Sequence, residues 1–237
     1  MTKDATEAPA AKPGERRAVR WLHEHALIIV CLAVFVLCVA GMAASGFQVA
    51  NEERLDHGAG AVGLFEYLGS GQFVEATFEN WESEFLQMGA YVVLTVFLFQ
   101  KGSSESKPLG KKTPQDEDPR DATVGPDTPW PVRRGGFVLV LYENSLAIFF
   151  FVLFGLSFVL HAVGGAEAYS EEQALHGLPG ATAWEYLGTA QFWFESMQNW
   201  QSEFLAVAAI VGASVLLRQR GSPESKPVAT PHHETGA

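Results

Sequence analysis

The stretch EYLGSGQFVEATFENWESEFLQ, Glu66 to Gln87, returns 119 residues later as EYLGTAQFWFESMQNWQSEFLA, Glu185 to Ala206. The same offset aligns Trp21 to Pro108 with Val140 to Pro227 without a gap. It also brings GSSESKP (102–108) into register with GSPESKP (221–227). Self-similarity at one long period marks a duplicated structural unit, and each period here holds two apolar runs. The chain therefore reads as two tandem copies of a two-helix unit.

The four runs, Ala26 to Ala44, Phe85 to Phe99, Phe137 to Val163 and Phe204 to Leu217, are nearly free of charge. The first and third are long enough to cross a bilayer alone, which takes roughly 20 helical residues. The second and fourth, at about 14 to 15 residues, fit buried helices of a soluble protein equally well. Their flanks decide the matter. Each follows a helix-compatible stretch that begins after Ser70 or Thr189, residues suited to N-capping. A helix over about 71–100 would measure roughly 45 Å and overshoot the membrane, leaving its polar first turns in the headgroup layer or beyond it. The expected fold is an all-α membrane protein: four transmembrane helices as two tandem parallel two-helix repeats, with a pseudo-two-fold along the membrane normal. Hydrophobic residues at 48% against charged residues at 18% permit this reading without forcing it.

The expected organisation is a disordered N-terminus (1–20), a first repeat (21–108), a flexible linker (109–136), a second repeat (137–227) and a disordered tail (228–237). The linker is rich in Pro, Asp, Lys and Thr and has little apolar surface to bury.

Positive charge sets orientation. Five of the 16 Lys and Arg lie in residues 1–25, seven in 101–138 and three in 218–237, and Arg54 alone falls in the intervening loops. That places both termini and the linker in the cytoplasm and the loops outside. Acidic residues show the opposite bias: Glu52, Glu53, Asp56, Glu66, Glu75, Glu79, Glu82 and Glu84 in the first copy, Glu167, Glu171, Glu172, Glu185, Glu195 and Glu203 in the second. An anionic outer face attracts metal cations, polyamines or cationic peptides and repels nucleic acid, or is simply a solvated surface. The basic residues Arg16, Arg17 and Arg20 before the first run fit a signal peptide, but the run is long and has an internal counterpart at Leu146 to Leu160, so an uncleaved helix is expected. Cys31 and Cys38, seven apart on one helix, are roughly 10 Å apart along its axis, cannot bridge each other, and read as small apolar residues.

Polar features that recur in both copies are the candidates for function. Glu53 and His57 sit four apart on one helical face, as do Glu172 and His176, and the four could hold a divalent metal if the copies face each other. The simpler reading is a histidine on the helix dipole followed by a capping glycine. A second feature is the polar stripe Gln72, Asn80, Ser83, Glu84 and Gln87, matched by Gln191, Glu195, Asn199, Ser202 and Glu203. Glu84 and Glu203 stand where the apolar runs begin and are expected to point inward, either as a cation site or proton relay or as part of a hydrogen-bonded clamp between helices. Tyr67, Trp81, Trp184, Tyr186 and Trp200 read as interfacial anchors. Gly102 and Gly221 would cap the spanning helices before Pro108 and Pro227. His161 has Met42 as its counterpart and reads as a local hydrogen-bonding residue.

The Asn-Trp-x-Ser-Glu-Phe-Leu core, with Glu-Tyr-Leu before it and Glu-Ser-Lys-Pro after it, resembles a family of bacterial membrane proteins classed as a domain of unknown function. The resemblance covers both copies and implies a bacterial inner-membrane location; it implies no activity. No nucleophile elbow, phosphate loop, HExxH, CxxC or dinucleotide fingerprint is present, so a non-enzymatic protein is expected, with no cofactor unless a divalent metal. The leading expectation is a role in assembly, interaction or envelope homeostasis, with the bilayer and a second copy or a membrane protein as partners. The alternative is a protein that binds or conducts a divalent cation or protons through paired glutamates.

Overall fold

The computed structural model describes residues 13–236, so the expectation for the N-terminus lies outside them as far as residue 12. Every regular element among the described residues is helical: α1 (Pro13–Glu24), α2 (Ala26–Asp56), α3 (Leu64–Leu68), α4 (Gly71–Phe97), α5 (Trp130–Arg134), α6 (Gly136–Glu143), α7 (Ser145–Leu175), α8 (Ala183–Tyr186) and α9 (Ala190–Leu216). The chain divides into two compact units, one ending at Leu68 and one beginning at Gly69.

In the first unit, α2 runs 31 residues and contains an apolar window of mean hydropathy 3.0, none of it buried. Leu, Ile, Val and Phe surround it on all sides, which in water would leave a large apolar surface exposed. In the last turns of α2, Asn51 latches the following loop: it accepts from Val62 N–H at 2.8 Å and donates to Val62 O at 3.3 Å. Tyr67 of α3 is buried rather than interfacial, with its ring against Gly46 and Phe47.

The second unit repeats this plan and extends it. α7 is again 31 residues with an apolar window of mean hydropathy 2.5, and α2 and α7 are the two described helices long and apolar enough to cross a membrane. Ser170, 119 residues after Asn51, makes the same two-way latch with Ala181. α4 and α9 are both 27 residues, begin on the side-chain caps Ser70 and Thr189, and end at the matched positions Leu98 and Leu217. Gly102 and Gly221 therefore lie in the turns beyond the helices and not at their caps, because the chain has already turned extended at Leu98 and Leu217.

α4 packs antiparallel to α7, Gly71 lying against Glu167 and Gly89 against Phe150 and Phe151. Their backbones come very close where the start of α4 meets α7: a methyl on Gly164 would sit 2.7 Å from Glu75 N, and one on Gly71 2.7 Å from Gly164 O. α9 meets α7 differently, through intervening rings. Phe158 and Phe192 are 5.3 Å apart and Phe154 and Trp200 6.5 Å apart. Polar side chains fit between helices held apart in this way.

The segments that composition reads as disordered carry hydrogen bonds. In the linker, Lys107 and Thr113 hold the Asp116 carboxyl well below the usual carboxylate range, through a Lys107 contact of 2.5 Å and a capping box on a short 3-10 turn. In the tail, Lys226 Nζ is buried and donates to the carbonyls of Glu234, His232 and Pro231. Gly102 N–H donates to Thr235 Oγ1 and Gly236 N–H to Ser103 O, so the last residues cover the end of α4.

The close approach of α4 and α7 predicts a sharp contrast between two glycines. Gly164→Ala is expected to destabilise the protein by about 1–3 kcal/mol, since a helix must shift to admit the methyl. Gly212→Ala, on an open helix face, is expected to be neutral or slightly stabilising. Denaturant unfolding of the detergent-solubilised protein reads both.

Candidate functional site

Glu75, Glu79 and Glu82 fall at i, i+4 and i+7 on α4 and so share the face turned to α7 and α9. Midway along α7, His161 meets that face with no exposed surface. Its Nδ1 donates to Glu82 Oε2 at 2.8 Å, and its Nε2 lies 3.3 Å from Glu195 Oε2 on α9. Glu82 is also wholly buried, and its second oxygen accepts from the Trp200 indole at 3.0 Å. The Tyr186 hydroxyl stands between Glu75 Oε1, at 2.9 Å, and Glu195 Oε2, at 2.5 Å. Gln191 donates to the other oxygen of Glu195.

Apolar rings close the site. Phe192, fully buried, stacks on the His161 imidazole at 4.6 Å, and the Tyr186 ring packs edge-on against Phe192 and directly over Gly165. The thin wall that Gly165 provides is what lets Tyr186 reach Glu75. One residue from Glu195, the buried Ser196 Oγ has no hydrogen-bond partner.

The charge balance of this cluster is unusual. Neither Lys nor Arg occurs between residues 55 and 100 or between 135 and 217, so α4, α7, α8 and α9 bring no permanent cation to it. Four carboxylates, those of Glu75, Glu79, Glu82 and Glu195, surround one imidazole. A neutral imidazole has one N–H, and a phenol one O–H, yet each here faces two carboxylates. Burying ionised carboxylates without compensation is costly, so the cluster requires further positive charge, as protons or as a bound cation. The oxygens of Glu75 and Glu195 and a nitrogen of His161 all lie within 4.8 Å of one another, a separation compatible with ligation of one ion.

The residues singled out from sequence are distributed differently. Glu84 is exposed and Glu203 half-buried; the inward carboxylate is Glu82, because two residues along a helix turn the side chain by some 200°. Ser83 is buried, donating to Asn80 O, while Asn80 and Ser202 are exposed and bond within their own helices. Gln72 is half-buried. Gln191 and Asn199 do reach the cluster, through Glu195 and through a hydrogen bond to Glu79 respectively. Glu53, His57, Glu172 and His176 are exposed. His57 and His176 end their own helices and Gly58 and Gly177 follow at φ 74° and 69°, so the capping geometry accounts for them. Of the expected anchors, Trp184 is exposed, and Trp81 is half-buried among Phe78 and Phe85. Tyr186 and Trp200 instead point their polar atoms into the cluster, because buried O–H and N–H groups need acceptors. His161, Glu75, Glu79 and Glu82 have no like partner in the other copy, having Met42, Phe194, Gln198 and Gln201 at the 119-residue offset, and Glu195 has Ala76.

A family described as a domain of unknown function (DUF6766) matches residues 18–237. No curated protein and no solved structure matches the chain.

Removing one partner of a buried pair leaves the other uncompensated. His161→Leu is expected to destabilise the protein by about 3–5 kcal/mol, and adding Glu82→Gln to restore part of that loss. A double-mutant cycle on unfolding in detergent measures the coupling; additivity of the two changes would show that the pair is not a unit.

Proposed function

The chain belongs to this family of unknown function, and from its residues we propose that it is an integral membrane protein that binds a cation at a buried Glu–His–Glu cluster. The observation that carries the reading is the excess of carboxylates, one fully buried and three partly buried, over basic groups around His161, in helices that contain no Lys or Arg. A clamp built only to join helices is satisfied by neutral amides and hydroxyls, which carry no charge to desolvate. Four carboxylates in the same place need a counter-ion, and this favours cation binding over the assembly role expected from composition.

The proposed setting is a bacterial inner membrane crossed four times by two tandem copies of one unit. The matched spans of α2 and α7 and of α4 and α9, the paired caps and the two loop latches support the duplication. With both termini and the linker cytoplasmic, the acidic loops face outward and concentrate cations near the outer ends of α4, α7 and α9. Glu185, at the outer cap of α8, is held below the usual carboxylate range by the backbone N–H and hydroxyl of Thr182 and stays anionic there. The protein has no catalytic role in this reading, and a second copy or a membrane partner would assemble around it through its apolar surface.

Two measurements test the proposal. Reporter fusions after residues 60 and 180 are expected on the same, outer side and one after residue 120 on the cytoplasmic side; opposite sides for 60 and 180 would end the duplicated topology. Divalent cations are expected to raise the thermal midpoint of the purified protein in detergent, by a few degrees at concentrations well above the dissociation constant. The Glu75→Gln/Glu195→Gln variant is expected to lose that shift. An equal shift in the variant would sink the cation site.

A further inference from the structure

The two faces of the His161 ring are not equivalent, and the difference identifies which ion the site suits. On one side the Nδ1–H bond to Glu82 is 2.8 Å, the ordinary length of a charge-assisted hydrogen bond. Glu82 is itself pinned by the Trp200 indole at 3.0 Å and has no exposed surface, so it has no other role open to it than to orient this imidazole. In the neutral imidazole that bond places the proton on Nδ1, and Nε2 then presents its lone pair toward Glu195.

On the other side the contact is long. Nε2 and Glu195 Oε2 are 3.3 Å apart, beyond the roughly 2.7–2.9 Å of a hydrogen bond between such groups. In that neutral form both atoms are acceptors, and a proton or a cation between them is what would join them. Adjacent ligands on one tetrahedral ion with bonds of about 2.0–2.1 Å lie about 3.3 Å apart. Glu75 supplies a third ligand atom, an oxygen, within the same 4.8 Å group, and the Tyr186 hydroxyl lies within hydrogen-bond distance of both Glu75 and Glu195.

Resting on the cation-binding reading above, we propose that the ion is a divalent transition metal of the zinc, manganese or iron class, ligated by His161 Nε2, Glu75 and Glu195. Glu82, Trp200 and Tyr186 are positioning residues. A carboxylate that orients a histidine ligand through its far nitrogen is the usual outer shell of such sites. A nitrogen ligand in turn disfavours magnesium and calcium, which take oxygen donors. The set of residues is distinct from Glu53, His57, Glu172 and His176, which cap their helices.

The test uses the full-length protein in detergent, purified, stripped with chelator and reloaded with Mn²⁺, Zn²⁺, Mg²⁺ or Ca²⁺. Mn²⁺ is expected to bind once per chain and to show nitrogen coupling in its electron spin-echo spectrum. That coupling should change when histidine is supplied as the ¹⁵N form and vanish in His161→Asn. Glu82→Gln keeps all three ligands and is expected to retain the coupling while weakening Mn²⁺ roughly 10- to 100-fold, the range for loss of an outer-shell carboxylate. The labelled wild type decides the matter even where His161→Asn does not fold. Three results would overturn the assignment: no nitrogen coupling, coupling that persists in a folded His161→Asn, or Mg²⁺ and Ca²⁺ bound as tightly as Mn²⁺ and Zn²⁺. Binding of Mg²⁺ or Ca²⁺ that disappears in Glu75→Gln/Glu195→Gln would still leave the broader cation reading standing. Absence of any cation effect would remove both.

Discussion

The hydrogen bond between His161 and Glu82, both wholly buried, is the constraint around which the second unit is arranged. A carboxylate in that position must be paired, because the low-dielectric interior penalises it far more than water does. The pairing is possible only because the α4 and α7 backbones nearly touch at Gly71 and Gly164, about three turns from Glu82 along α4 and about one turn from His161 along α7. α9 then has to stand off, separated by Phe192 and Trp200, to leave room for Glu195, Gln191 and the Trp200 indole nitrogen. The glycines on one side of α7 and the aromatic rings on the other are thus two halves of one solution: close backbones bring the pair together, and wide spacing accommodates the groups that satisfy it.

Much of the local structure was legible in the sequence because it follows from short-range chemistry. Ser70 and Thr189 accept from the backbone N–H three residues on, and Gly58 and Gly177 take up the left-handed conformation after histidine caps, as their residue types suggest. The length and apolar character of α2 and α7 likewise follow from composition. The linker and tail were less legible, since their order comes from particular tertiary bonds, such as the three carbonyls around Lys226, that no composition implies. The helix faces were the hardest. A period of 3.6 residues allows several polar arcs on α4, and which one turns inward is set by where Gly71 and Gly89 let α7 approach.

Apart from Glu195, which the polar stripe of α9 includes, the carboxylates and the histidine of the site escaped a reading based on recurrence for a physical reason. Residues that recur at the 119-residue offset are those that every copy needs to fold. Tyr186 packs on Gly165 as Tyr67 packs on Gly46, and Ser170 latches Ala181 as Asn51 latches Val62. The cluster is made of positions where the copies part: Glu75 against Phe194, Glu82 against Gln201, His161 against Met42, Glu195 against Ala76. A charged residue aligned with an apolar or neutral one, inside an otherwise faithful repeat, was the signal available, and filtering for agreement between the copies removes it.

Such divergence has an electrostatic logic. Were the copies identical at these positions, each would bring glutamates from both of its long helices and a histidine into a slab of structure that contains no Lys or Arg, multiplying the cost of burial. As it stands, the cluster draws Glu75 and Glu82 from α4 and His161 and Glu195 from α7 and α9, which gathers the charge at one place. At the positions 119 residues away from Glu75, His161 and Glu195 stand the apolar Phe194, Met42 and Ala76. Tyr186 shows how little the shared scaffold has to change for this: its ring keeps the glycine contact of Tyr67, and its hydroxyl becomes a bridge between Glu75 and Glu195 because the two carboxylates are there to accept from it.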